Sequence, residues 1–230
     1  MKYFLLIILF FFKTQAGQTQ DSVETKKEWE LNGYIKDLQS LSFDKNSDNL
    51  ISGNLIHNRI NLKWKPSTQY IAAVEIRNRL FWGDEVKLIP DFAKNLRNGN
   101  EWMNLSVVWL NKSGLILHSN IERLWMEVRE TKWKVRAGRQ RINWGVATIW
   151  NPNDIFNTYN FLDFDYEERP GSDAVKFQYM ISDFSNIELA EASSVGDKKT
   201  IIAAKYATNQ WGYDFQFTGG IYRSRFTLGT

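Results

Sequence analysis

The residues most able to do chemistry in this sequence are arginines and lysines that recur at alternate positions of extended segments. Arg77 and Arg79 lie two residues apart, and Arg139 and Arg141 repeat that spacing. Side chains two apart on a strand share a face, and rings of arginine and lysine inside a pore favour anions. The predicted channel-lining and solute-binding residues are Arg59, Lys63, Arg77, Arg79, Arg123, Arg129, Arg136, Arg139 and Arg141.

A structural role is the alternative for most of these cations. Glu75 could pair with Arg77 and Arg79, and Glu127 could pair with Arg123 and Arg129, because opposite charges on neighbouring strands stabilise a sheet. The basic residues outnumber the acidic ones on the same faces, so we expect a positive excess to remain after pairing.

Enzymatic chemistry has little support in the sequence. Cysteine is absent, and there is no nucleophile elbow, zinc-protease helix or phosphate-binding loop. The two histidines, His57 and His118, lie on separate segments, which argues against a metal site. A hydrolase site built around His57 is the alternative to a hydrogen-bonding role in a basic row. We expect no enzymatic activity, no cofactor and no metal.

The first residues match a secretory signal peptide. Lys2 precedes an unbroken apolar run over 3–12, and small and polar residues follow up to Ala16. That run is shorter than the ~20 residues that a membrane-spanning helix needs. We expect residues 1–16 to be removed on export and residues 17–28 to form a periplasmic N-terminal segment. A retained membrane anchor is the alternative.

The exported chain is close to neutral. Of 29 basic residues, Lys2 and Lys13 lie in the predicted signal peptide, which leaves 27 against 26 acidic residues. This balance argues against a nucleic-acid partner. Without cysteine no disulfide can form, so an exported protein needs either a large core or a barrel closed by backbone hydrogen bonds.

Aromatic residues make up 15% of the chain and include 10 tryptophans. After the signal peptide, no apolar run is long enough for a helical membrane span. This combination is typical of transmembrane β-barrels, which alternate faces and place Trp and Tyr at both membrane interfaces. A secreted β-sandwich shares part of the profile.

Strict alternation along the chain favours the barrel. Over 55–64 the even positions are mostly apolar, whereas the odd positions include His57, Arg59 and Lys63. Alternation over about 10 residues fits a strand that crosses a bilayer at a tilt. The nine predicted strands are 30–40, 55–64, 69–80, 115–129, 133–142, 173–181, 185–192, 200–207 and 212–218.

The predicted connections alternate in length as well. The short ones are 65–68, 130–132, 182–184 and 208–211, and the long ones are 41–54, 82–114, 148–170 and 193–199. Short periplasmic turns and longer outer loops are typical of outer-membrane barrels. We therefore predict an all-β fold, an antiparallel transmembrane β-barrel, with the run 105–110 extending a hairpin in an outer connection.

The strand count predicts how this barrel is completed. Bacterial single-chain barrels usually have an even number of strands, and lipid does not tolerate open sheet edges. Nine strands therefore indicate that 29–230 is the N-terminal part of a longer barrel. A chain that closes with further strands or through oligomerisation is the alternative, and the sequence predicts no oligomeric state.

The stretch GRQRINWGVATIWNPNDIFN, residues 138–157, interrupts the alternation. Simple parity from the preceding strand would place Arg139 and Arg141 against lipid, where an arginine costs roughly 2–4 kcal/mol at the midplane. A bulge at Gly138 would turn both arginines inward, because glycine inside a strand often marks a bulge. The alternative is that the strand leaves the hydrocarbon at Gly138.

The second half of this stretch predicts an inward-folded loop. The run 144–150 is too apolar for a water-exposed loop, and Asn151, Pro152 and Asp154 match the start of a short helix. We expect a constriction beside the two arginines, and the alternative is a loop that packs on the rim without contacting solute. The predicted constriction residues are Trp144, Trp150, Asn151, Asn153 and Asp154.

A family resemblance rests on the same stretch. IERLWMEVRETKWKVRAGRQRINWG and WNPNDIFN resemble the strand, short turn, Gly-Arg-Gln strand and Asn-Pro segment of outer-membrane barrels related to the alginate-export porins. NGYIKDLQ and NLIHNRINLKW are similar to uncharacterised barrel proteins of that kind from Bacteroidetes-type bacteria. The resemblance implies a narrow lumen whose arginines pass an anionic polysaccharide, with Arg139 and Arg141 in the matching positions. Glu75, Glu127 and Asp214 depart from an all-basic lining.

These observations together predict a porin-like channel in the bacterial outer membrane. It would pass small or oligomeric solutes, including oligosaccharides, with a mild preference for anions, and its partners would be membrane lipid and solutes. The alternatives are a non-conducting barrel that serves surface-glycan export or capsule assembly, and an outer-membrane barrel enzyme.

Overall fold

The computed structural model describes residues 27–43, 49–96, 101–145, 153, 155–156, 171–193, 200–222 and 224–230. The predicted signal peptide and three of the predicted constriction residues, Trp150, Asn151 and Asp154, lie outside the described residues.

The described chain is all-β, as predicted. Every one of the nine predicted runs is a strand, and two further strands, β4 and β11, raise the number to eleven. The predicted count of nine was therefore too low. The elements are β1 (Trp29–Phe43), β2 (Leu50–Trp64), β3 (Tyr70–Gly83), α1 (Asp84–Leu88), α2 (Phe92–Asn95), β4 (Ser106–Lys112), β5 (Leu115–Arg129), β6 (Trp133–Gln140), β7 (Ser172–Ser182), β8 (Ser185–Ser193), β9 (Ile201–Gln210), β10 (Tyr213–Tyr222) and β11 (Arg225–Gly229).

All strands belong to one antiparallel sheet. Its order is β1-β2-β3-β5-β6-β7-β8-β9-β10-β11, and β4 pairs with β5 off this path. β4 covers the part of β5 before Ile121, whereas β6 pairs with the part after Arg123. This hairpin extension is the role predicted for 105–110. Within the described residues the sheet does not close, since β1 and β11 each pair on one side.

The connections between strands differ in length at the two ends of the sheet. One end, here called the turn end, carries the short connections 65–69, 130–132, 183–184 and 211–212. The other end, the loop end, carries 44–49, 84–114, 141–171 and 194–200, together with the brief link 223–224. Trp211 and Gly212 both have positive φ, 55° and 80°, which is the conformation that a two-residue hairpin needs.

The two faces of the sheet differ in chemistry because successive side chains point to opposite sides. One face, the polar face, carries buried charged and polar residues such as Arg59 and Arg77, which are 3% and 5% exposed. The other, the apolar face, exposes large hydrophobic side chains. These include Ile56, Ile60, Trp64, Tyr70, Leu124, Met126, Val175, Tyr179, Leu189, Ile202, Tyr206, Phe215, Phe217 and Ile221.

The hydrophobic core lies where the chain after β6 covers the polar face of β7–β9. Ile142, Trp144 and Phe156 pack against four small residues of these strands, Ala174, Ala190, Ala192 and Ala203. Alanines leave the space that the large rings fill. Among the residues that the structure describes, no helix is long and apolar enough to cross a membrane.

Candidate functional site

The candidate site is the charged network on the polar face of β2, β3 and β5. A register shift between β3 and β5 forms part of this network, because Glu75 pairs with Arg123 while Ile76 pairs with Ile121. Glu122 is thus an extra residue in β5, a β-bulge. Glu122 and Arg123 are consecutive but both buried, at 3% and 4% exposure. The bulge was not predicted, since no glycine marks it.

Ion pairs cross the strands diagonally in this network. Arg59 lies directly opposite Arg77 in the register of β2 and β3, an arrangement that would be unfavourable for two unpaired cations. Arg59 instead lies 2.5 Å from Glu75, and Arg77 lies 2.7 Å from Glu122. Glu75 thus contacts Arg59 on the neighbouring strand, a partner that was not predicted for it.

Arg79 and the histidines lie nearer the loop end. The Nη2 atom of Arg79 lies 3.4 Å from the Nδ1 atom of His118 and donates to the carbonyl oxygen of Leu96, also at 3.4 Å. His57 is 1% exposed and packs 5.4 Å from the ring of Tyr34. Both histidines are buried beside the charged network.

Glu127 is the centre of a second group, nearer the turn end. It is fully buried and lies 2.5 Å from Arg129 and 2.6 Å from Arg136. The guanidinium of Arg136 also lies 3.9 Å from the ring centre of Trp125, a cation–π contact. Arg129 is partly exposed, so this group has a solvent-accessible cation.

Arg139 is fully buried at the junction between β6 and the strap 101–105 that precedes β4. Its Nε atom lies 2.8 Å from Asp173, its Nη1 atom lies 3.0 Å from Glu101, and Nη1 also donates to the carbonyl oxygen of Ile121 at 3.0 Å. Nη2 donates to the carbonyl oxygen of Met103. Arg139 therefore fixes the strap to the end of β6.

Glu101 links this junction to the polar face, because it accepts a hydrogen bond from Asn120, which also donates to Glu122. Burial raises the pKa of Glu101 to about 7, with Glu122 and Asp173 contributing in the same direction and Arg139 opposing it. The carboxyl therefore titrates near neutral pH.

The predicted bulge at Gly138 is absent. Gly138 pairs with Trp125 of β5 on one side and with Ala174 of β7 on the other, and neither register shifts at this residue. Gly138 instead has a φ of 112°, and a Cβ there would lie 2.2 Å from the carbonyl oxygen of Leu124. This backbone conformation, which strains any other residue, accompanies the burial of Arg139. Gly138 therefore marks an unusual backbone conformation beside a buried arginine, and not a bulge.

The other predicted residues lie at the margins of the network. β6 ends at Gln140, so Arg141 follows the strand; it is half-buried, and its Nε atom has no hydrogen-bond partner among the described residues. Lys63 is half-buried near the turn end of β2. Arg141 thus retains a buried donor without a partner in the part of the chain that the structure describes.

Trp144 covers the polar face of β7–β10. It is 2% exposed, its Nε1 atom donates to Glu188 at 3.0 Å, and its carbonyl oxygen accepts from Gln216 at 2.6 Å. Phe156 meets its ring edge-on at 5.0 Å. Asn153 is buried and donates to the carbonyl oxygen of Thr230 at 3.2 Å.

Three further charged residues at this site were not predicted. Glu188 lies 2.7 Å from Lys205 and 3.7 Å from Lys176, in addition to its bond with Trp144. Lys176 alternates with the apolar Val175 and Phe177, and that pattern could have identified it. Glu188 and Lys205 share a register pair, which only the fold reveals.

Aromatic side chains form a row on the apolar side of the turn end. Trp29 and Trp64 face each other across β1 and β2 and stack with ring centres 5.5 Å apart. The exposed residues of this row are Trp29, Trp64, Tyr70, Trp133, Tyr179, Trp211 and Tyr213.

The described residues contain no group of three or more metal-ligating side chains that could hold an ion. What the site offers chemically is therefore charge: a network of guanidinium groups tied to buried carboxylates, with a covering segment beside it. Comparison with protein-family models, with curated proteins and with solved structures found no match to this chain.

Proposed function

We propose that this chain forms a β-barrel in the bacterial outer membrane and acts as a porin-like channel for small or oligomeric solutes, with a preference for anions. The observation that carries the proposal is the contrast between the two faces of one sheet. Soluble monomers rarely expose contiguous apolar patches larger than a few hundred Å². Contact of the apolar face with lipid accounts for its exposed residues, and a lumen on the other side accounts for the buried charges.

The aromatic row at the turn end supports a membrane interface there. Trp and Tyr are enriched at the boundary between lipid and water because their rings are apolar and their N–H or O–H groups are polar. The short connections at this end match the periplasmic turns of outer-membrane barrels, and the longer connections match the outer loops.

Closure of the sheet is part of the proposal. Unpaired backbone groups are costly in lipid, so the free edges of β1 and β11 need partners there. Strands of a longer barrel or another copy of the chain would provide them. The predicted kinship with alginate-export-type porins belongs to the same proposal.

The charges of the polar face support an anion preference. Arginines and lysines outnumber carboxylates there. Arg129 is partly exposed although it is paired with Glu127, and the Nε atom of the half-buried Arg141 has no hydrogen-bond partner among the described residues. The covering segment with Trp144 lies on the polar face, where it would narrow a lumen. Selectivity would then arise from size exclusion at this segment and from attraction by the nearby cations.

A non-conducting barrel that serves surface-glycan export or capsule assembly is a second candidate. The favouring observation is that most predicted lining cations are already held by carboxylates, as with Arg77 and Glu122 or Arg139 and Asp173. A lumen filled by paired side chains and a covering segment would pass little solute.

Conductance across planar lipid bilayers tests the channel. The full-length protein should give discrete current steps that favour anions, and Arg141→Gln should reduce the anion-to-cation permeability ratio. Lys132→Gln is the control, since Lys132 is exposed in the turn 130–132 outside the strands, and it should leave the ratio unchanged. A folded protein that inserts without conducting would contradict the channel and favour the second candidate.

A further inference from the structure

A second group of cations lies outside the charged network, at the loop end of the sheet. Residues of α1, α2 and the β4–β5 hairpin line a cavity of about 350 Å³. Lys87 and Lys94 come from the helices, and Lys112 comes from the end of β4. Asp91, directly before α2, also lines the cavity, so its charged lining consists of three lysines and one carboxylate. The volume falls in the range of small-molecule sites, roughly 300–1,000 Å³.

The helical walls of this cavity are fixed to the sheet. In α1, Asp84 accepts hydrogen bonds from the hydroxyl and backbone nitrogen of Ser52, at 2.7 and 3.3 Å. In α2, Phe92 meets Phe81 of β3 edge-on with ring centres 5.2 Å apart. Short helices held in this way keep the cavity open at little conformational cost to a ligand.

The lysines of the cavity differ in how far they are already neutralised. Lys87 lies 3.1 Å from Asp84, and the hydrogen bonds from Ser52 and Lys87 lower the pKa of that exposed carboxyl, which keeps it ionised. Neither Lys94 nor Lys112 has an ion pair in the part of the chain that the structure describes. These two ammonium groups therefore carry most of the attraction for an anion.

The floor of the cavity is apolar. Val86 and Ile116 line it and are 8% and 2% exposed. Ile116 alternates with the buried His118 along β5, so it belongs to the polar face. Gly114 brings the chain close to Lys87, because a Cβ there would lie 2.8 Å from the Lys87 Cε atom. The cavity therefore lies on the polar side of the sheet and combines a mainly polar lining, which includes three lysines, with a small apolar base.

We propose that this cavity binds a small organic anion from solution. Lys94 and Lys112, assisted by Lys87, hold its carboxylate or phosphate, and its apolar body rests on Val86 and Ile116. Ammonium groups act as point charges without the planar geometry of arginine, so either anionic group suits the rim. The inference goes beyond the proposed channel, since the cavity binds an anion whether or not the sheet conducts.

Calorimetric titration of the full-length protein, refolded in a zwitterionic detergent, tests this site. Benzoate and phenyl phosphate are the probes, and empty micelles give the background heat. Acetate lacks the apolar body and benzyl alcohol lacks the charge, so each should bind roughly tenfold more weakly than the better probe. The relative affinities of benzoate and phenyl phosphate identify the anionic group that the rim favours.

Substitutions of residues that line the cavity test whether the probes bind there. Lys94→Gln and Lys112→Gln should each weaken binding severalfold, whereas Lys132→Gln, at an exposed position of the turn end, should not change it. Ala93→Phe fills the cavity without altering charge and should abolish binding. The proposal is overturned if folded protein binds neither probe saturably, or if both lysine variants bind as tightly as the parent.

Discussion

The polar face is filled in two different ways along the same sheet. Across β2, β3 and β5, long charged side chains meet one another, and pairs such as Arg77 with Glu122 satisfy them. Across β7–β9 a smaller charged group, Glu188 with Lys205, lies beside four alanines, and Ile142, Trp144 and Phe156 fill the space above these alanines. The first region is held by electrostatic pairing and the second by packing, so they should respond differently to substitution.

The largest effect should come from the packed region. Trp144→Ala leaves a cavity over the alanines and removes a hydrogen bond from Glu188, so we expect a loss of roughly 3–5 kcal/mol in the free energy of unfolding. Trp211→Ala is the control, since Trp211 is 87% exposed in a turn. Urea denaturation followed by circular dichroism measures both. A loss of less than about 1 kcal/mol for Trp144→Ala would contradict the packing role.

In the paired region, substitution of one member of an ion pair should destabilise the fold, because it leaves the other charge buried without its partner. Arg77→Met leaves Glu122 buried without its nearest cation, which should cost about 3 kcal/mol, at the low end for buried pairs because Arg59 and Arg123 remain nearby. Adding Glu122→Leu should recover much of this loss. A double-mutant cycle from denaturation curves gives the coupling energy, and additive losses would refute the pairing.

A larger side chain should destabilise the protein on one face of β9 and have little effect on the other. Ala203→Leu points into the packed region, where Ala203 is 4% exposed, and should cost about 1–3 kcal/mol. Ala204→Leu, one residue later on the exposed apolar face, should be nearly neutral. Equal losses from the two substitutions would mean that the covering segment does not distinguish the faces.

The smallest effect should be local and dependent on pH. Burial raises the pKa of Glu101 from 4.5 to about 7, so the folded strap is favoured below pH 4.5 and loses that contribution as pH rises through 7. The amide of Met103, which donates to Asp173 at 2.7 Å, reports on the strap. Its hydrogen-exchange protection factor should fall across this window.

Glu101→Gln provides the control for this titration. The amide keeps the size of the side chain and cannot ionise, so the protection factor of Met103 should become independent of pH between 4.5 and 7. An unchanged pH dependence in this variant would assign the titration to another group.

The strands were predictable because alternation is local, whereas the site depends on register. β2 and β5 follow from period-two patterns, but β11 has five residues, too few for a clear pattern. The burial of Trp144 followed from an apolar run that no exposed loop would carry. The partner of Arg59 could not be predicted, because Glu75 becomes its diagonal neighbour only once β2 and β3 are aligned.

The bulge in β5 shows the same limit. Glu122 joins the network because one residue is added between Ile121 and Arg123, and this follows from the alignment of β5 with β3. At Gly138 the glycine was a correct sign of unusual backbone but not of a bulge. Sequence patterns therefore located the polar face without resolving its contacts.

The most direct test of the central claim asks which medium each face contacts. The chain has no cysteine, so single cysteines at 177–181 in β7 can carry a spin label in protein reconstituted into lipid vesicles. Electron paramagnetic resonance then compares collisions with oxygen, which concentrates in lipid, and with a water-soluble nickel complex. We predict that labels at Phe177 and Tyr179 favour oxygen and a label at Gln178 favours nickel. Equal access of both reagents to all positions would contradict a sheet with one face in lipid.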